Sequence, residues 1–316
     1  MSIYRTLKGY NIKSVTSDPA NAQIGQVWYN DTLNKIKVRT QVTAAWASGG
    51  NMNTGRSGLG GAGIQTAALA FGGDSPSLNE TEEYNGTSWA EQNNLNTARR
   101  VGAGFGIQTA AVMAGGLAAN DNRNFNNSEE YNGTSWSEGN NLNTGRDILA
   151  GAGILTAGLC FGGFTNTNVA KTEEYDGTSW TNGNDLSTAV RGAGGSGTQT
   201  SALSFCGDSG SATNQTEEYD GTNWSSGGNY PLSTEALAGS SGPQTAALGF
   251  GGYTTGSTNI YDGSSWTATS TMTTARGGLS GDGTSAFAAI AFGGAPSRNI
   301  TEEFTNAFIT KTITDS

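Results

Sequence analysis

The chain has 316 residues, a net charge of −10 and no histidine. The missing histidine removes the commonest general base and metal ligand, and with it the Ser-His-Asp and Cys-His nucleophile systems. With 49 glycines and only 13% charged residues, the composition favours short strands and tight turns and predicts an all-β protein.

The sequence predicts a soluble chain that does not insert into a membrane, because it lacks a run of about 18 apolar residues. No hydrophobic segment of the kind found in export signals follows Met1. The two cysteines, Cys160 and Cys206, are predicted to be unpaired and buried, which fits synthesis in a reducing compartment.

Residues 1–34 do not share the pattern of the rest of the chain and are predicted to form an attachment arm. Gly25 to Asn30 and Lys35 to Val38 have the composition of a β-hairpin. Residues 1–56 hold seven basic and two acidic residues, a net charge of +5 in an otherwise acidic chain. This asymmetry predicts an acidic partner for the arm, or else a basic segment that is simply solvated. The residues predicted to dock are Tyr4, Arg5, Lys8, Tyr10, Lys13, Trp28 and Tyr29.

From about residue 40 onwards, a short apolar run that ends in a glycine pair recurs six times, with the variants noted below. A spacing of roughly 45 residues is typical of repeat architectures. Each repeat predicts four strands, of which the last two carry Tyr and Trp and are joined by Asn-Gly or Asp-Gly, a strong hairpin signal. The six closing triplets are Phe71-Gly72-Gly73, Ala114-Gly115-Gly116, Phe161-Gly162-Gly163, Phe205-Cys206-Gly207, Phe250-Gly251-Gly252 and Phe292-Gly293-Gly294.

This pattern resembles the kelch-repeat family. In the third repeat, Arg146, Gly162-Gly163, Tyr175 and Trp180 follow the kelch order of Arg, glycine pair, Tyr and Trp. The resemblance covers roughly residues 40–306 and implies a six-bladed β-propeller with four antiparallel strands per blade, in which a strand around residues 42–46 completes the last blade. The expected divisions are an arm (1–34), a propeller (35–306) and a C-terminal tail (307–316). Three positions depart from the kelch pattern: Ala114, Cys206 and Phe304.

Five repeats combine an arginine before the first strand with a carboxylate pair in the third strand, and the fifth repeat lacks both. Because the two features disappear together, we predict structural salt bridges rather than acid/base or metal chemistry. Neighbouring strand residues face opposite ways, so only one Glu of each pair can join a bridge. The predicted residues are Arg56, Arg99, Arg146, Arg191 and Arg276, with Glu82-Glu83, Glu129-Glu130, Glu173-Glu174, Glu217-Glu218 and Glu302-Glu303.

No catalytic residue, metal site or cofactor is predicted. Gly-x-Gly runs such as Gly102-Ala103-Gly104 recur in the repeats without a following Lys-Ser/Thr or helix, so they are not phosphate loops. The sequence therefore predicts that the protein is not an enzyme.

The opening segment resembles the start of structural and tail-associated proteins of bacteriophages, especially marine ones, in Ser17 to Asn21, Gly25 to Asn30 and Lys35 to Val38. The resemblance implies a virion protein, made in the cytoplasm of the host bacterium and present in several copies or as a homo-oligomer. Its arm would dock to other virion proteins of the portal, tail or capsid.

Two roles within the virion stay open. The acidic body would suit a tail nozzle whose walls let DNA slide, without sequence-specific nucleic-acid binding. It would equally suit an adsorption appendage that binds host surface glycans through the variable loops 117–127 and 208–214. The alternative classes are a bacterial kelch-type scaffold that binds proteins or glycans, and a glycan-active enzyme.

Overall fold

The computed structural model describes residues 4–7, 10–41, 43–74, 78–118, 125–235, 237–239, 242–253, 255–306 and 308–313. Within these residues the protein is all-β, as predicted, and its one helical element is a single 3-10 turn, Gln244–Ala246. The chain divides into two compact units: Met1–Ala44 with Asn306–Ser316, and Ala45–Thr305.

The first unit is a five-stranded sheet. Its strands, in order across the sheet, are β1 (Tyr4–Leu7), β2 (Tyr10–Val15), β3 (Val27–Asn30), β4 (Lys35–Gln41) and β31 (Phe308–Thr312). β2 and β3 run parallel, and the other neighbours are antiparallel. The predicted hairpin of residues 25–30 and 35–38 is present as β3 and β4. The expected divisions nevertheless assigned residues 35–41 to the propeller and residues 308–312 to a tail, whereas both lie in this sheet. The physical reason is pairing, since β4 bonds to β3 on one side and to β31 on the other.

The second unit contains, in the described residues, six four-stranded antiparallel sheets and a short two-stranded ladder. The first sheet is β6 (Gly60–Ile64), β7 (Ala67–Phe71), β8 (Thr81–Tyr84) and β9 (Trp89–Gln92). The second is β11 (Ala103–Ile107), β12 (Ala110–Ala114), β14 (Ser128–Tyr131) and β15 (Trp136–Glu138), and the ladder is β10 (Arg99–Arg100) with β13 (Leu117–Ala118). The third is β16 (Ala150–Ile154), β17 (Ala157–Phe161), β18 (Thr172–Tyr175) and β19 (Trp180–Asn182).

The remaining three sheets follow the same order. The fourth is β20 (Gly194–Thr198), β21 (Ser201–Phe205), β22 (Thr216–Tyr219) and β23 (Trp224–Ser226). The fifth is β24 (Leu237–Gly239), β25 (Leu248–Gly251), β26 (Thr258–Tyr261) and β27 (Trp266–Ala268). The sixth is β28 (Ser280–Ser285), β29 (Ala288–Phe292), β30 (Thr301–Thr305) and, from the other end of the unit, β5 (Ala45–Ser48).

The hairpin between the third and fourth strands of a sheet follows directly from its sequence. In the third sheet Gly177 has a φ of 89°, a conformation that a side chain would penalise. The carboxylate of Asp176 accepts hydrogen bonds from the N–H groups of Ser179 (2.7 Å) and Thr178 (2.8 Å), which lower its pKa. The same side-chain cap occurs at four other turns, at Asn85, Asn132, Asp220 and Asp262.

The first strand of each sheet contacts the first strand of the next sheet, and β28 of the sixth sheet contacts β6 of the first. These six strands, β6, β11, β16, β20, β24 and β28, are called the innermost strands. All six innermost strands carry glycine at the same register position: Gly61, Gly104, Gly151, Gly195, Gly239 and Gly281. A Cβ atom on Gly195 would lie 2.6 Å from the carbonyl oxygen of Gly151 in the neighbouring strand. At Gly195, glycine is therefore required by the close approach of the strands.

Backbone hydrogen bonds also join the segments that lead into these strands. The N–H groups of Val101, Ile148 and Gly192 each donate to the carbonyl of the equivalent residue one sheet earlier, at 2.7 to 2.9 Å. Gly58 of the first sheet donates to Gly278 of the sixth at 2.7 Å. Val101 and Ile148 have φ values of 51° and 50°, which β-branched residues rarely adopt, so these contacts hold the two residues in a strained conformation.

Aromatic pairs fill the space between sheets. Phe71 of the first sheet packs against Trp136 of the second at 4.8 Å between ring centroids, and four other junctions repeat this contact. In the second sheet Ala114 replaces the Phe, and Phe105 of the innermost strand reaches Trp180 instead, at 6.4 Å. Gly158 makes room for that ring, since a Cβ there would lie 2.3 Å from it. The departure at Ala114 is thus compensated within the same interface.

Candidate functional site

Four of the predicted arginines form buried ion pairs with the first Glu of a carboxylate pair. Arg56 Nη1 lies 2.6 Å from Glu82, Arg276 Nη2 lies 3.0 Å from Glu302, and all four pairs have fully buried side chains. The other two pairs are Arg99 with Glu129 and Arg146 with Glu173. Burial lowers the pKa of Arg276, and the charge of Glu302 opposes that effect.

Each of these pairs ties the segment before a sheet to the third strand of that sheet. The Glu173 carboxylate also accepts from the backbone N–H groups of Asn143 (2.6 Å) and Thr144 (3.3 Å). The guanidinium of Arg146 donates in addition to the carbonyls of Thr144 and Cys160. Because both charges are fully buried and hydrogen bonded, the arrangement is a structural clasp and offers no carboxylate to a substrate.

The second Glu of each pair faces the next sheet. The hydroxyl of Tyr84 donates to Glu303 at 2.6 Å, and that of Tyr131 donates to Glu83 at 3.0 Å. The other three pairs are Tyr175 with Glu130, Tyr219 with Glu174 and Tyr261 with Glu218. At the sixth junction the hydroxyl and the carboxylate are both missing, because Phe304 and Ile260 occupy the equivalent positions. The sequence indicated that this Glu points elsewhere but not that it joins two sheets.

A third repeated contact connects the indole of each outer strand to the preceding sheet. Trp89 Nε1 donates to the hydroxyl of Thr301 at 2.9 Å, and four other tryptophans donate to a threonine in the same way. Ser128 replaces the threonine in the second sheet, and there Trp180 donates to the carbonyl of Asn140 instead.

Arg191 does not form the predicted clasp. It pairs with Asp208 at 2.7 Å, with its side chain about one third exposed, and it lies over the ring of Phe164 at 5.0 Å. The cause is an offset of one residue. Val190, whose carbonyl accepts from Gly163 as the Arg146 carbonyl accepts from Gly116, occupies the arginine position. Glu217 is buried and still accepts from the N–H groups of Ser187 and Thr188, so the fourth sheet keeps the acid and lacks the base.

The fifth sheet lacks both partners, in agreement with the repeat pattern. By the same backbone criterion Thr234, which accepts from Gly207, stands at the arginine position. Asn259 replaces the acid and is buried with its amide donating to Ser257 at 2.9 Å. Neutral residues therefore occupy both positions in this sheet.

The predicted docking residues fall into different environments. Lys13 is exposed, and Tyr29 donates its hydroxyl to Asn34 at 3.0 Å near the surface. Tyr4 and Arg5 lie in β1 and Tyr10 in β2, whereas Lys8 lies outside the described residues. Trp28 is fully buried, so it belongs to the core of its own unit rather than to a docking surface. The alternation of buried and half-buried residues along β3 accounts for this placement.

Asp18 holds that core together. The indole N–H of Trp28 (2.9 Å) and the amide of Asn30 (2.8 Å) both donate to one oxygen of Asp18, and Lys37 lies 3.3 Å from the other. The bonds from Asn30 and Trp28 lower the pKa of Asp18. Lys37, one of the basic residues counted in residues 1–56, is therefore engaged within the unit.

Two cavities lie along the innermost strands of the second unit. One of about 150 Å³ is lined largely by glycine and alanine. The other, of about 390 Å³, opens where the first and second strands of the sheets are joined. Its lining includes the apolar Ile107 and Ile154, each about half exposed, and the hydroxyl-bearing Thr198, Thr200 and Thr284. Its size is in the range of small-ligand sites, and we refer to it as the turn-side cavity.

Among the described residues, no three acidic or cysteine side chains come together in a way that could hold a metal ion. Cys160 and Cys206 are both buried free thiols, and burial raises the pKa of Cys160 to about 12. In the same part of the chain, no helix is long and apolar enough to cross a membrane.

The Tyr–Glu contacts predict a loss of stability at alkaline pH. Burial, with the hydrogen bond to Glu adding to it, raises the pKa of Tyr84 and of Tyr261 from 10 to about 12. The unfolded chain releases these protons near pH 10 while the folded chain keeps them, so the free energy of unfolding should fall as pH rises from about 10 to 12. Urea unfolding at fixed ionic strength measures this, and Tyr84→Phe should make the fall shallower. A midpoint independent of pH across that range would contradict the assignment.

No protein-family model and no curated protein matches the chain. A functional proposal is therefore based on the sequence, the fold and the geometry of the site.

Proposed function

We propose that the second unit is a six-bladed β-propeller of the kelch type, with each four-stranded sheet as one blade. Three contacts between the sixth and first sheets support closure of the ring. β28 contacts β6, Tyr84 donates to Glu303, and Trp89 donates to Thr301. β5 from the start of the unit completes the last sheet by pairing with β30, as overlapping ends do in propellers.

We further propose that the protein is a non-enzymatic structural protein of a bacteriophage virion. The observation that carries the non-enzymatic part of this proposal is the use of the repeated charged residues, which contact one another within the scaffold in the clasps and in the Tyr–Glu contacts. What the propeller offers to a partner is therefore loops and the turn-side cavity. The docking role of the first unit rests on the resemblance of its sequence to phage proteins.

Of the two virion roles, adsorption is better supported than passage of DNA through the propeller. The cavity between the innermost strands has only about 150 Å³, and glycine contacts with neighbouring backbone leave no slack to widen it. The turn-side cavity combines apolar side chains with hydroxyl groups, which suits a ligand with one apolar face and several hydroxyls, such as a sugar ring. We therefore favour an adsorption appendage that recognises a host surface glycan.

Imaging of purified virions with an antibody against this chain tests the proposal. We expect labelling at the tail or at another surface structure, and a cellular scaffold protein would leave the virions unlabelled. A glycan array probed with the full chain tests the ligand class separately. Binding that is reduced by Ile154→Asp would support recognition at the turn-side cavity, while virion labelling without any glycan binding would leave a structural role alone.

Charge reversal in the first unit should weaken docking. Lys13→Glu changes an exposed side chain in β2 and is expected to lower the copy number of the protein per virion several-fold while its melting temperature stays unchanged. Lys171→Glu in the second unit, also exposed, makes the same change of charge and serves as the control. Equal incorporation of both variants would argue against docking through the basic arm.

A further inference from the structure

The fourth sheet has no arginine at the position where the first, second, third and sixth sheets bury a guanidinium group. In the third sheet, Arg146 donates to Thr144, to Cys160 and to Glu173. The residues at these three positions in the fourth sheet are Thr188, Ser204 and Glu217, and Val190 stands in place of the arginine. These four residues line a small cavity of about 10 Å³.

The remaining wall of this cavity repeats a second set of arginine partners. Arg99 of the second sheet donates to the carbonyls of Gly115 and Asn127. Their equivalents in the fourth sheet are Cys206 and Gln215, which are joined by the same backbone hydrogen bond and also line the cavity. In the second and third sheets, five positions accept hydrogen bonds from the buried arginine. In the fourth sheet these positions are Thr188, Ser204, Cys206, Gln215 and Glu217, and all five line the cavity.

The electrostatics of the fourth sheet are consequently unbalanced. Glu217 is 6% exposed, and among the described residues no lysine or arginine lies within ion-pair distance of it. The backbone N–H groups of Ser187 (2.8 Å) and Thr188 (3.2 Å) donate hydrogen bonds to its carboxylate. A buried carboxylate needs a compensating charge, because removal from water disfavours the ionised form.

We propose that this cavity binds a monovalent metal cation of the Na⁺ or K⁺ class, which takes the role of the missing guanidinium. With Val190 in its wall, a cavity of this size has room for about one water-sized particle, so a monatomic ion fits. Carboxylate, carbonyl and hydroxyl oxygens are the ligands that hard cations prefer, and carbonyl oxygens can replace the water shell of a monovalent ion. One carboxylate balances one positive charge, whereas calcium sites draw on several acidic ligands.

Thermal unfolding of the full chain in different chloride salts at equal ionic strength tests the proposal. Because the cation binds only the folded state, NaCl or KCl should raise the melting temperature saturably, by about 2 °C at a concentration roughly five times Kd, relative to tetramethylammonium chloride. Glu217→Gln should abolish the difference between the salts. Glu174→Gln is the control: it changes a Glu that accepts from Tyr219 and lies outside the cavity, and it should leave the difference between the salts intact.

A second variant tests the origin of the site in the repeat. Val190→Arg would place a guanidinium group where the third sheet has that of Arg146. If this variant folds, its melting temperature should be the same in all the salts. Identical melting temperatures of the unaltered chain in all salts would overturn the proposal. A salt difference that persists in Glu217→Gln would also overturn it. These readouts are independent of any virion role.

Discussion

Replacing Arg146 with alanine is expected to lower the free energy of unfolding by about 3–5 kcal/mol. The change leaves Glu173 fully buried with only backbone N–H groups as donors and removes hydrogen bonds to two carbonyls. A buried charge without its partner costs far more than the intact pair contributes, so the loss should exceed that of an ordinary surface ion pair. Urea unfolding followed by fluorescence of the tryptophans measures the effect.

Arg191→Ala is the matched control. It deletes the same side chain one repeat later, where the pair with Asp208 is about one third exposed on the arginine side, and should cost no more than about 1 kcal/mol. The double variant Arg146→Val with Glu173→Gln should recover part of the loss, because it removes the uncompensated charge. If Arg146→Ala and Arg191→Ala unfolded at the same urea concentration as the unaltered chain, the clasp would be of no importance to stability.

The sequence predicted the fold at the level of strands and sheets because those depend on local chemistry. Asp176-Gly177 and its equivalents specify a hairpin through one capping side chain and one residue with positive φ, and both signals are visible in the sequence. The all-β class and the four-stranded sheets followed from these turns and from the repeat. The hairpin of β3 and β4 was predicted from its local sequence. The pairing of β31 with β4 was not, since pairing between strands far apart in the chain depends on which partners meet in space.

The candidate site was predicted in part. The joint loss of Arg and Glu in the fifth repeat indicated a pairing, and four pairs occur. The prediction for Arg191 was wrong because this residue lies one position beyond the clasp position. The offset is shown by the hydrogen bond from the N–H group of Gly163 to the carbonyl of Val190. The sequence also carries a signal for the Tyr–Glu contacts: Phe304 replaces the Tyr in the repeat that follows the one in which Ile260 replaces the second Glu.

Gly195→Val is expected to destabilise the chain by about 3 kcal/mol or more, chiefly through overpacking of the innermost strands. A Cβ at this position would lie 2.6 Å from the carbonyl oxygen of Gly151, and the two γ-methyl groups would have to enter the same narrow space. Main-chain atoms of a paired strand cannot move aside as the end of a flexible side chain can. Relief would therefore require separation of the third and fourth sheets, which the indole of Trp224 bridges through its bond to Thr172 at 3.0 Å.

Gly151→Ala provides the comparison at the same register position of the preceding sheet. There the nearest atoms to a new Cβ belong to the side chains of Phe105 and Ala103, at 3.0 and 3.1 Å, so each neighbour needs to move by only a few tenths of an ångström. We expect a cost of at most about 1 kcal/mol, and urea unfolding of the two variants side by side gives the contrast. Equal stability of Gly195→Val and the unaltered chain would mean that the strands do not approach as closely as described. Closure of six sheets into one ring depends on that approach, so the proposed propeller would then lose its main support.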